Sequence, residues 1–334
     1  MKTLSAPRRS LPFGITRFVF VLFAIVLAVL ACTASAWAQA APAAATRVEL
    51  LRVRIKSATD EHATAVQLGS LWLQLACEYQ RQFELPEAED AFTRSASLLR
   101  TPATQSAYAD SLSGLGWVYF AEARAVESKN CLGKALEIYQ ALRDPARIVK
   151  LREDIAEVLL FERRYREGEA ESSEALKELQ SQSKPDLAEL EAGLLVHSYA
   201  LCFQGRCAAA LDDANRAMTV AQSIFPADSF EIAQVWVARG YDQWKSGSFD
   251  EGERSLREAL RMLLNRTDMP IQLLLISQLP TLKWYADCLK ANHHKLEARQ
   301  VEAEILQLRS EQQAPVCKDC TVSAAALSSA PPRR

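Results

Sequence analysis

The stretch Leu112-Ser-Gly-Leu-Gly-Trp-Val-Tyr119 decides the fold of this chain. Its large apolar residues are spaced as on one face of a helix, and Gly116 lies on the same face. A small residue, Ser128, follows Gly116 after 12 positions, and Ala135 follows seven positions later. The stretch therefore predicts a helix that packs closely, through its glycine, against a second helix.

The same arrangement of small residues recurs along the chain. At steps of 40, 40, 42, 42 and 46 residues a small residue, here called the marker, occupies the place of Gly116, and a second small residue follows 12 positions later. The six pairs are Ala76 with Ala88, Gly116 with Ser128, Ala156 with Gly168, Ser198 with Ala210, Gly240 with Gly252, and Ala286 with Ala298. Only small side chains let two antiparallel helices cross at close range. The pattern predicts an all-α solenoid of about six helical hairpins.

The repeat resembles that of the tetratricopeptide family, whose pattern is Trp-x2-Leu-Gly-x2-Tyr followed by Ala-x3-Phe. The first unit carries Trp72-x2-Leu75-Ala76-x2-Tyr79 and then Ala88-x3-Phe92. The period is longer than the usual ~34 residues and is similar to the long variant of kinesin light chains, although HEAT and armadillo arrays also have long periods. The resemblance implies a superhelix of helix pairs that binds proteins or peptides.

Composition excludes several classes of function. The net charge is −2, and the four basic residues of the first 40 leave −6 on the rest of the chain. Such a body lacks the basic stripe of a nucleic-acid-binding protein. The sequence has no phosphate-binding glycine loop and no His-Glu-x-x-His or Gly-x-Ser-x-Gly motif. We therefore expect no enzyme activity, no catalytic residues, no metal and no cofactor.

The first 40 residues have the order of a secretory signal peptide. Four basic residues precede the apolar run 18–31, and an Ala-x-Ala cleavage motif ends at Ala40. We expect cleavage after Ala40 and a periplasmic or secreted bacterial protein. A retained membrane anchor, or lipid attachment at Cys32, is the alternative, and only then would the membrane be a partner.

The rest of the chain divides into three parts. Residues 41–60 form an Ala/Pro linker and a leading helix with Val48, Leu51 and Ile55 as its apolar positions, which caps the array. Residues 61–312 form the solenoid. Its last unit has Ile305 where the others have a small residue and Pro280 inside its first helix, so we expect a degenerate closing repeat whose first helix is kinked or starts late. Residues 313–334 are rich in Ala, Ser and Pro and predict a disordered tail.

Aromatic residues concentrate on one predicted surface, the inner face formed by the first helix of each hairpin. Seven of the 26 aromatic residues fall just after a marker: Trp117, Phe120, Phe161, Tyr199, Phe203, Tyr241 and Trp244. Aromatic side chains dominate binding hot spots because they give large contact areas for little entropy. The surface predicts a groove for an extended or helical apolar peptide. The alternative is that tight curvature buries the rings as ordinary core.

Other polar residues allow a functional and a structural interpretation. Lys150, Glu153 and Glu157 share a helix face and could hold a charged ligand end, or form a solvated face. His197 and His293-His294 have no acidic or cysteine partner at metal-ligand spacing.

The cysteines are similarly ambiguous. Cys317-x-x-Cys320 could be a redox or metal pair, or a passive tail disulfide. Cys202 and Cys207 could bridge across the Gly205 turn, whereas Cys77, Cys131 and Cys288 are expected to be buried apolar groups.

These observations predict an exported, non-enzymatic scaffold that binds a protein or peptide segment in an aromatic groove. Two alternatives remain at this point: a thiol redox or metal protein that uses the C-terminal cysteine pair, and a membrane-tethered assembly factor.

Overall fold

The computed structural model describes residues 46–266 and 268–312. This part of the chain contains thirteen α-helices, a short 3-10 helix at Pro102–Thr104 and no β-strand. The leading helix α1 covers residues 46–60, and residues 51–312 belong to one compact unit. The hairpins are formed by α2 (Ala65–Arg81) with α3 (Leu85–Leu99), α4 (Gln105–Ala121) with α5 (Ala125–Leu142), α6 (Pro145–Phe161) with α7 (Tyr165–Ser181), α8 (Leu187–Phe203) with α9 (Cys207–Ile224), α10 (Phe230–Lys245) with α11 (Phe249–Leu264), and α12 (Ile271–Ala291) with α13 (Lys295–Gln312).

The small residues meet where each pair of helices crosses, which confirms the all-α hairpin prediction. The Ser128 hydroxyl donates a 2.7 Å hydrogen bond to the carbonyl oxygen of Gly116, its marker 12 residues earlier. All twelve marker and partner residues are buried. A Cβ added to Gly116 would lie 2.6 Å from Leu132 side-chain atoms, and one added to Gly240 would lie 2.9 Å from the backbone nitrogen of Leu256. A larger side chain at these positions would push the helices apart.

The six turns inside the hairpins share one backbone geometry. Each has a residue in the left-handed conformation seven positions after the marker, namely Phe83, Ala123, Arg163, Gly205, Gly247 and His293. The next residue donates its N–H to the carbonyl five positions earlier, as in the Arg124–Tyr119 bond of 2.7 Å. This is the Schellman closure, which satisfies carbonyls that a helix end leaves open. The same closure in every repeat reverses the chain in the same way each time.

Helix starts are less regular than the turns. The sequence places an aspartate, known as a good helix cap, near the predicted starts of three helices: Asp186, Asp228 and Asp268. Asp186 does cap α8, by accepting hydrogen bonds from two backbone N–H groups. The predicted caps Asp228 and Asp268 are wrong: Ser229 caps α10, and Pro270 precedes α12. In both cases the helix begins later, because a serine hydroxyl or a fixed proline φ serves the first turn as well.

The first and last helices also test the sequence predictions. Leu51 and Ile55 of α1 are buried, and Arg52 donates a 2.8 Å hydrogen bond to the Tyr79 hydroxyl. The late start expected for the closing unit is wrong, since α12 runs through Pro280 without interruption.

Several predictions lie outside the described residues. They concern the signal peptide 1–40 with Cys32, the linker residues 41–45, and the tail 313–334 with Cys317 and Cys320. Among the helices of the described ranges, none combines the length and the apolar character that crossing a bilayer requires.

Candidate functional site

The first helix of each hairpin contributes to a common inner face. Each first helix from α2 to α10 touches the next first helix along the array, which ends at α12. Contacts of comparable extent between successive second helices do not occur among the described residues. Such one-sided contact places the first helices on the inside of a curved stack and the second helices on the outside. Side chains on the inner face therefore converge, while those outside diverge.

Six rings at the C-terminal half of the inner face form one continuous aromatic cluster. Its members are Tyr165, Tyr199, Phe203, Tyr241, Trp244 and Trp284, with neighbouring ring centroids 4.5–6.4 Å apart. Tyr241 touches four of the other rings and is buried. The remaining five are half-buried, so each keeps part of its surface open. All of these contacts are tilted or edge-on except Tyr199–Phe203, which is stacked. Contacts of these types fix the positions of the rings and leave part of the surface of the five half-buried rings exposed.

The structure divides the seven predicted aromatic residues into three groups. Tyr199, Phe203, Tyr241 and Trp244 belong to the aromatic cluster. Phe120 and Phe161 form an edge-on pair at 5.9 Å, and Trp117 packs edge-on against Phe83 at the same distance. Phe120, Phe161 and Trp117 are half-buried. Partial burial is compatible with the groove and with the core interpretation, so use of the surface for binding stays a prediction.

The spacing of the markers did not predict three of these rings: Tyr165, Trp284 and Phe83. Trp284 lies two residues before its marker Ala286, which is the same helix face as the residues just after the marker. Following that face backwards as well as forwards would have found it. Tyr165 begins α7, a second helix, and reaches the cluster through a tilted contact with Phe203 at a centroid distance of 5.3 Å. Tertiary packing alone brings it there.

Four carboxyl groups surround Lys150 between α6 and α8. This carboxyl cluster consists of Glu153, Asp154, Glu157 and Glu189. Lys150 Nζ pairs with Asp154 Oδ1 at 3.1 Å. Lys150 and Glu157 are exposed, but Glu153 is only 1% exposed, so a fully solvated face is wrong for that residue.

Desolvation sets the protonation of the carboxyl cluster. It raises the pKa of Glu153 to about 10, with the nearby Glu189 adding to the shift. It also raises the pKa of Glu157 to about 7, although solvent reaches this side chain. A group on a concave surface has much protein around it while its own atoms still touch water, which accounts for both observations. Burial lowers the pKa of Lys150, but Asp154 and the other carboxyl groups more than reverse this.

His197 has partners that its sequence neighbourhood did not reveal. His197 Nδ1 lies 2.7 Å from Asp213 Oδ2, and its Nε2 lies 3.1 Å from the Ser173 hydroxyl. The order resembles a Ser-His-Asp triad. Ser173, however, lies inside α7, where helical hydrogen bonds already occupy the backbone N–H groups that an oxyanion would need. We interpret the three residues as a hydrogen-bond network that links α7, α8 and α9.

His294 likewise gains acidic neighbours through the fold. Its Nδ1 lies 2.8 Å from Glu253, and Glu297 is close enough to complete a three-ligand set. The Arg257 guanidinium already pairs with Glu253 at 2.5 Å and with Glu297 at 3.5 Å. These carboxylates are therefore neutralised by arginine, and the arrangement is a salt-bridge network.

Cysteine placement agrees with the sequence analysis in part. Cys202 and Cys207 form a disulfide that joins the end of α8 to the start of α9. Cys288 is buried as expected and Cys131 is half-buried, but Cys77 is exposed. Cys77 immediately follows a marker, and its side chain therefore faces the inner face rather than the partner helix.

Comparison with known proteins identifies the fold. No protein-family model matches the sequence, and no curated protein is significantly similar to it. Among solved structures, the apo form of RapI has a TM-score of 0.67 at 12% identity, covering 81% of this chain and 93% of that one. NprR in complex with its cognate peptide NprX has a TM-score of 0.60 at 13% identity, covering 80% and 74%.

A third solved structure carries the repeat in its name. It is a signal-transduction ATPase from Pyrococcus horikoshii with a tetratricopeptide repeat sensor, which has a TM-score of 0.51 at 12% identity and covers 85% of this chain and 44% of that one. At such identities the similarity concerns the fold. Together with the hairpins, their small-residue crossings and the common inner face, it shows that this chain is an all-α superhelix of tetratricopeptide-type repeats.

Proposed function

We propose that this chain is a non-enzymatic scaffold that binds a peptide or protein segment along its inner face. The aromatic cluster carries the proposal, because five of its six rings keep part of their surface open on a converging surface. Rigid, partly exposed aromatic side chains are the residues that most often anchor a bound peptide. The similarity in fold to NprR, which was solved with its cognate peptide, supports the same kind of ligand.

Binding is favoured over catalysis by what surrounds the polar groups. The Ser173–His197–Asp213 array has no oxyanion donors, and the Glu253–His294–Glu297 group is neutralised by Arg257. The described residues thus offer an extended surface rather than an enclosed reaction centre.

The test replaces rings on the inner face and measures peptide binding. We expect Trp117→Ala and Trp244→Ala together to abolish binding to an array of ten-residue peptides, while far-UV circular dichroism stays unchanged. Phe249→Ala is the matched control, since this ring is 37% exposed at the start of a second helix. Loss of helicity in the double variant would instead assign the rings to the core.

Export remains part of the proposal. It rests on the signal-like order of residues 1–40, and the disulfide between Cys202 and Cys207 supports an oxidising compartment. Fractionation of bacteria that produce the full chain, compared with a chain beginning at Ala41, tests it. Retention of the full chain in the membrane fraction would favour the tethered alternative, and equal cytoplasmic amounts would contradict export.

A further inference from the structure

A buried carboxyl group whose hydrogen-bond partner is a second carboxyl group lies beside the inner face. Glu153 is 1% exposed, and no N–H or hydroxyl group of a described residue donates to its side-chain oxygens. Its side chain hydrogen-bonds to the carboxyl group of Glu189, which helps to raise the pKa of Glu153. Glu153 Oε1 occupies space beside Gly193 of α8, where an added Cβ would lie only 2.7 Å away. Burying two carboxyl groups against each other is costly, and folded proteins seldom keep such a pair without a use.

The surroundings of Glu153 are short of positive charge. Its charged neighbours are Glu189, Lys150 and Asp154, and Glu157 lies next to the last two. Glu189 also has a buried oxygen, Oε2, to which no N–H or hydroxyl group of a described residue donates. One ammonium group, already 3.1 Å from Asp154, therefore serves four carboxyl groups. Among the described residues around Lys150, no second basic side chain pairs with these carboxyl groups.

The carboxyl cluster continues into the aromatic cluster. Glu157 is the residue that follows its marker, and the equivalent residues in the next two repeats are Tyr199 and Tyr241. Glu157 is close enough for its charge to contribute to the raised pKa of Tyr199, for which desolvation is the main cause. A ligand on the aromatic rings therefore reaches the carboxyl groups within a few residues.

The far end of the aromatic cluster already holds a cation. Lys245 Nζ lies 4.0 Å from the centroid of the Trp244 ring and 5.7 Å from that of Tyr241. A positively charged ligand group is repelled there and attracted at α6 and α8. The charges of the inner face thus give a bound peptide a preferred direction.

From this arrangement, and resting on the proposed function, we infer that the inner face binds a peptide segment with a basic side chain next to apolar residues. The apolar residues lie on the aromatic cluster, and the basic side chain enters between α6 and α8 to donate to the carboxylates of Glu157 and Glu189, beside the protonated Glu153. Arginine suits this place best, because its planar guanidinium offers five donors to carboxylates that point from two helices.

The experiment compares three ten-residue peptides that share one apolar sequence and differ at a single position, which is arginine, glutamine or glutamate. Binding of each fluorescently labelled peptide to the full chain is measured by anisotropy. The apolar sequence is taken from peptides that the wild-type chain binds and the double tryptophan variant does not. We expect the arginine peptide to bind at least ~10-fold more tightly than the glutamine peptide, and the glutamate peptide to bind most weakly.

A triple variant tests whether the carboxyl cluster causes the preference. Glu153→Gln, Glu157→Gln and Glu189→Gln together should bring the three affinities close to one another while the glutamine peptide still binds. The control variant, Glu137→Gln with Glu174→Gln and Glu304→Gln, replaces the same number of glutamates at exposed positions on second helices and should keep the preference.

The outcomes separate the two proposals. If no peptide binds the wild-type chain, both the proposed function and this inference fail. If peptides bind through the tryptophans but the three charges bind alike, only the inference is overturned. A preference for arginine that survives in the triple variant overturns it as well.

Discussion

The first helices of the hairpins form an inner layer and the second helices form an outer layer. The two layers pack in the same way but differ in how their charged groups are paired. On the second helices, exposed ion pairs form between residues three or four positions apart, as in Arg94–Asp90 and Arg261–Glu258. The first helices also carry such pairs, but in addition they hold buried polar side chains with at least one atom that no N–H or hydroxyl partner satisfies. Within the described helices all side chains of this kind lie on first helices: Glu153, Glu189, Glu191, Arg239 and Asp242.

This difference separates residues that maintain the stack from residues available to a ligand. Local pairs on the outer layer contribute little, typically a few tenths of a kcal/mol each. The buried carboxyl groups of the first helices, which have fewer hydrogen bonds than their oxygens can accept, act against folding. Desolvation raises the pKa of Asp242 to about 8 and that of Glu191 to about 7. The inner layer therefore carries an electrostatic cost that the outer layer does not.

The strongest contrast should appear between two glycines. Gly116→Leu should lower the free energy of unfolding by about 1–3 kcal/mol, because its side chain would collide with Leu132 at the helix crossing. Gly133→Leu, on α5 with open space around its Cβ, should be neutral or stabilising because leucine favours helices. Urea unfolding followed by circular dichroism measures both. Equal effects of the two changes would contradict the small-residue crossing.

A second test cuts the covalent link between the layers. Replacing Cys202 and Cys207 with alanine should cost roughly 2 kcal/mol, the entropy expected for closing such a short loop. Thermal unfolding of the variant, and of the wild-type chain with and without reductant, measures the loss. Reductant should have no effect on the variant, and a wild-type chain equally indifferent to reductant would argue against the bridge.

A third test compares one inner and one outer carboxyl group across pH. The pKa of Glu153, about 10 when folded, exceeds its ordinary value of 4.5, so the folded chain keeps a proton that the unfolded chain loses. Stability from this group is complete below about pH 4.5 and falls as pH rises towards 10. Glu153→Gln should therefore stabilise the chain by on the order of 1–2 kcal/mol at pH 8 and by little at pH 4.

The outer control is Glu258→Gln, which breaks an exposed pair with Arg261. It should change stability by less than about 0.5 kcal/mol at pH 8. Denaturant titrations at both pH values provide the comparison. A gain for Glu153→Gln that does not depend on pH would show that Glu153 is ionised when folded.

More of the fold than of the candidate site could be predicted from the sequence. Spacing alone located the crossings, because only a small residue fits at Gly116 or Ser128 whatever its other neighbours are. The carboxyl cluster could not be located this way. Whether Glu153 faces water or α8 depends on how closely α6 and α8 approach, and Gly193 permits that approach from 40 residues away. Contacts between repeats leave no short-range pattern in the chain.

The shared turn geometry has a consequence for how such a protein changes in length. In every hairpin the first helix is followed, at the same position, by a residue in the left-handed conformation. The next residue then closes the turn with a hydrogen bond to the carbonyl five positions earlier. A whole hairpin can thus be duplicated or deleted without altering the bend that joins its halves, and each added copy would extend the concave surface by one row. Ligand length and repeat number can change together by simple duplication within the gene.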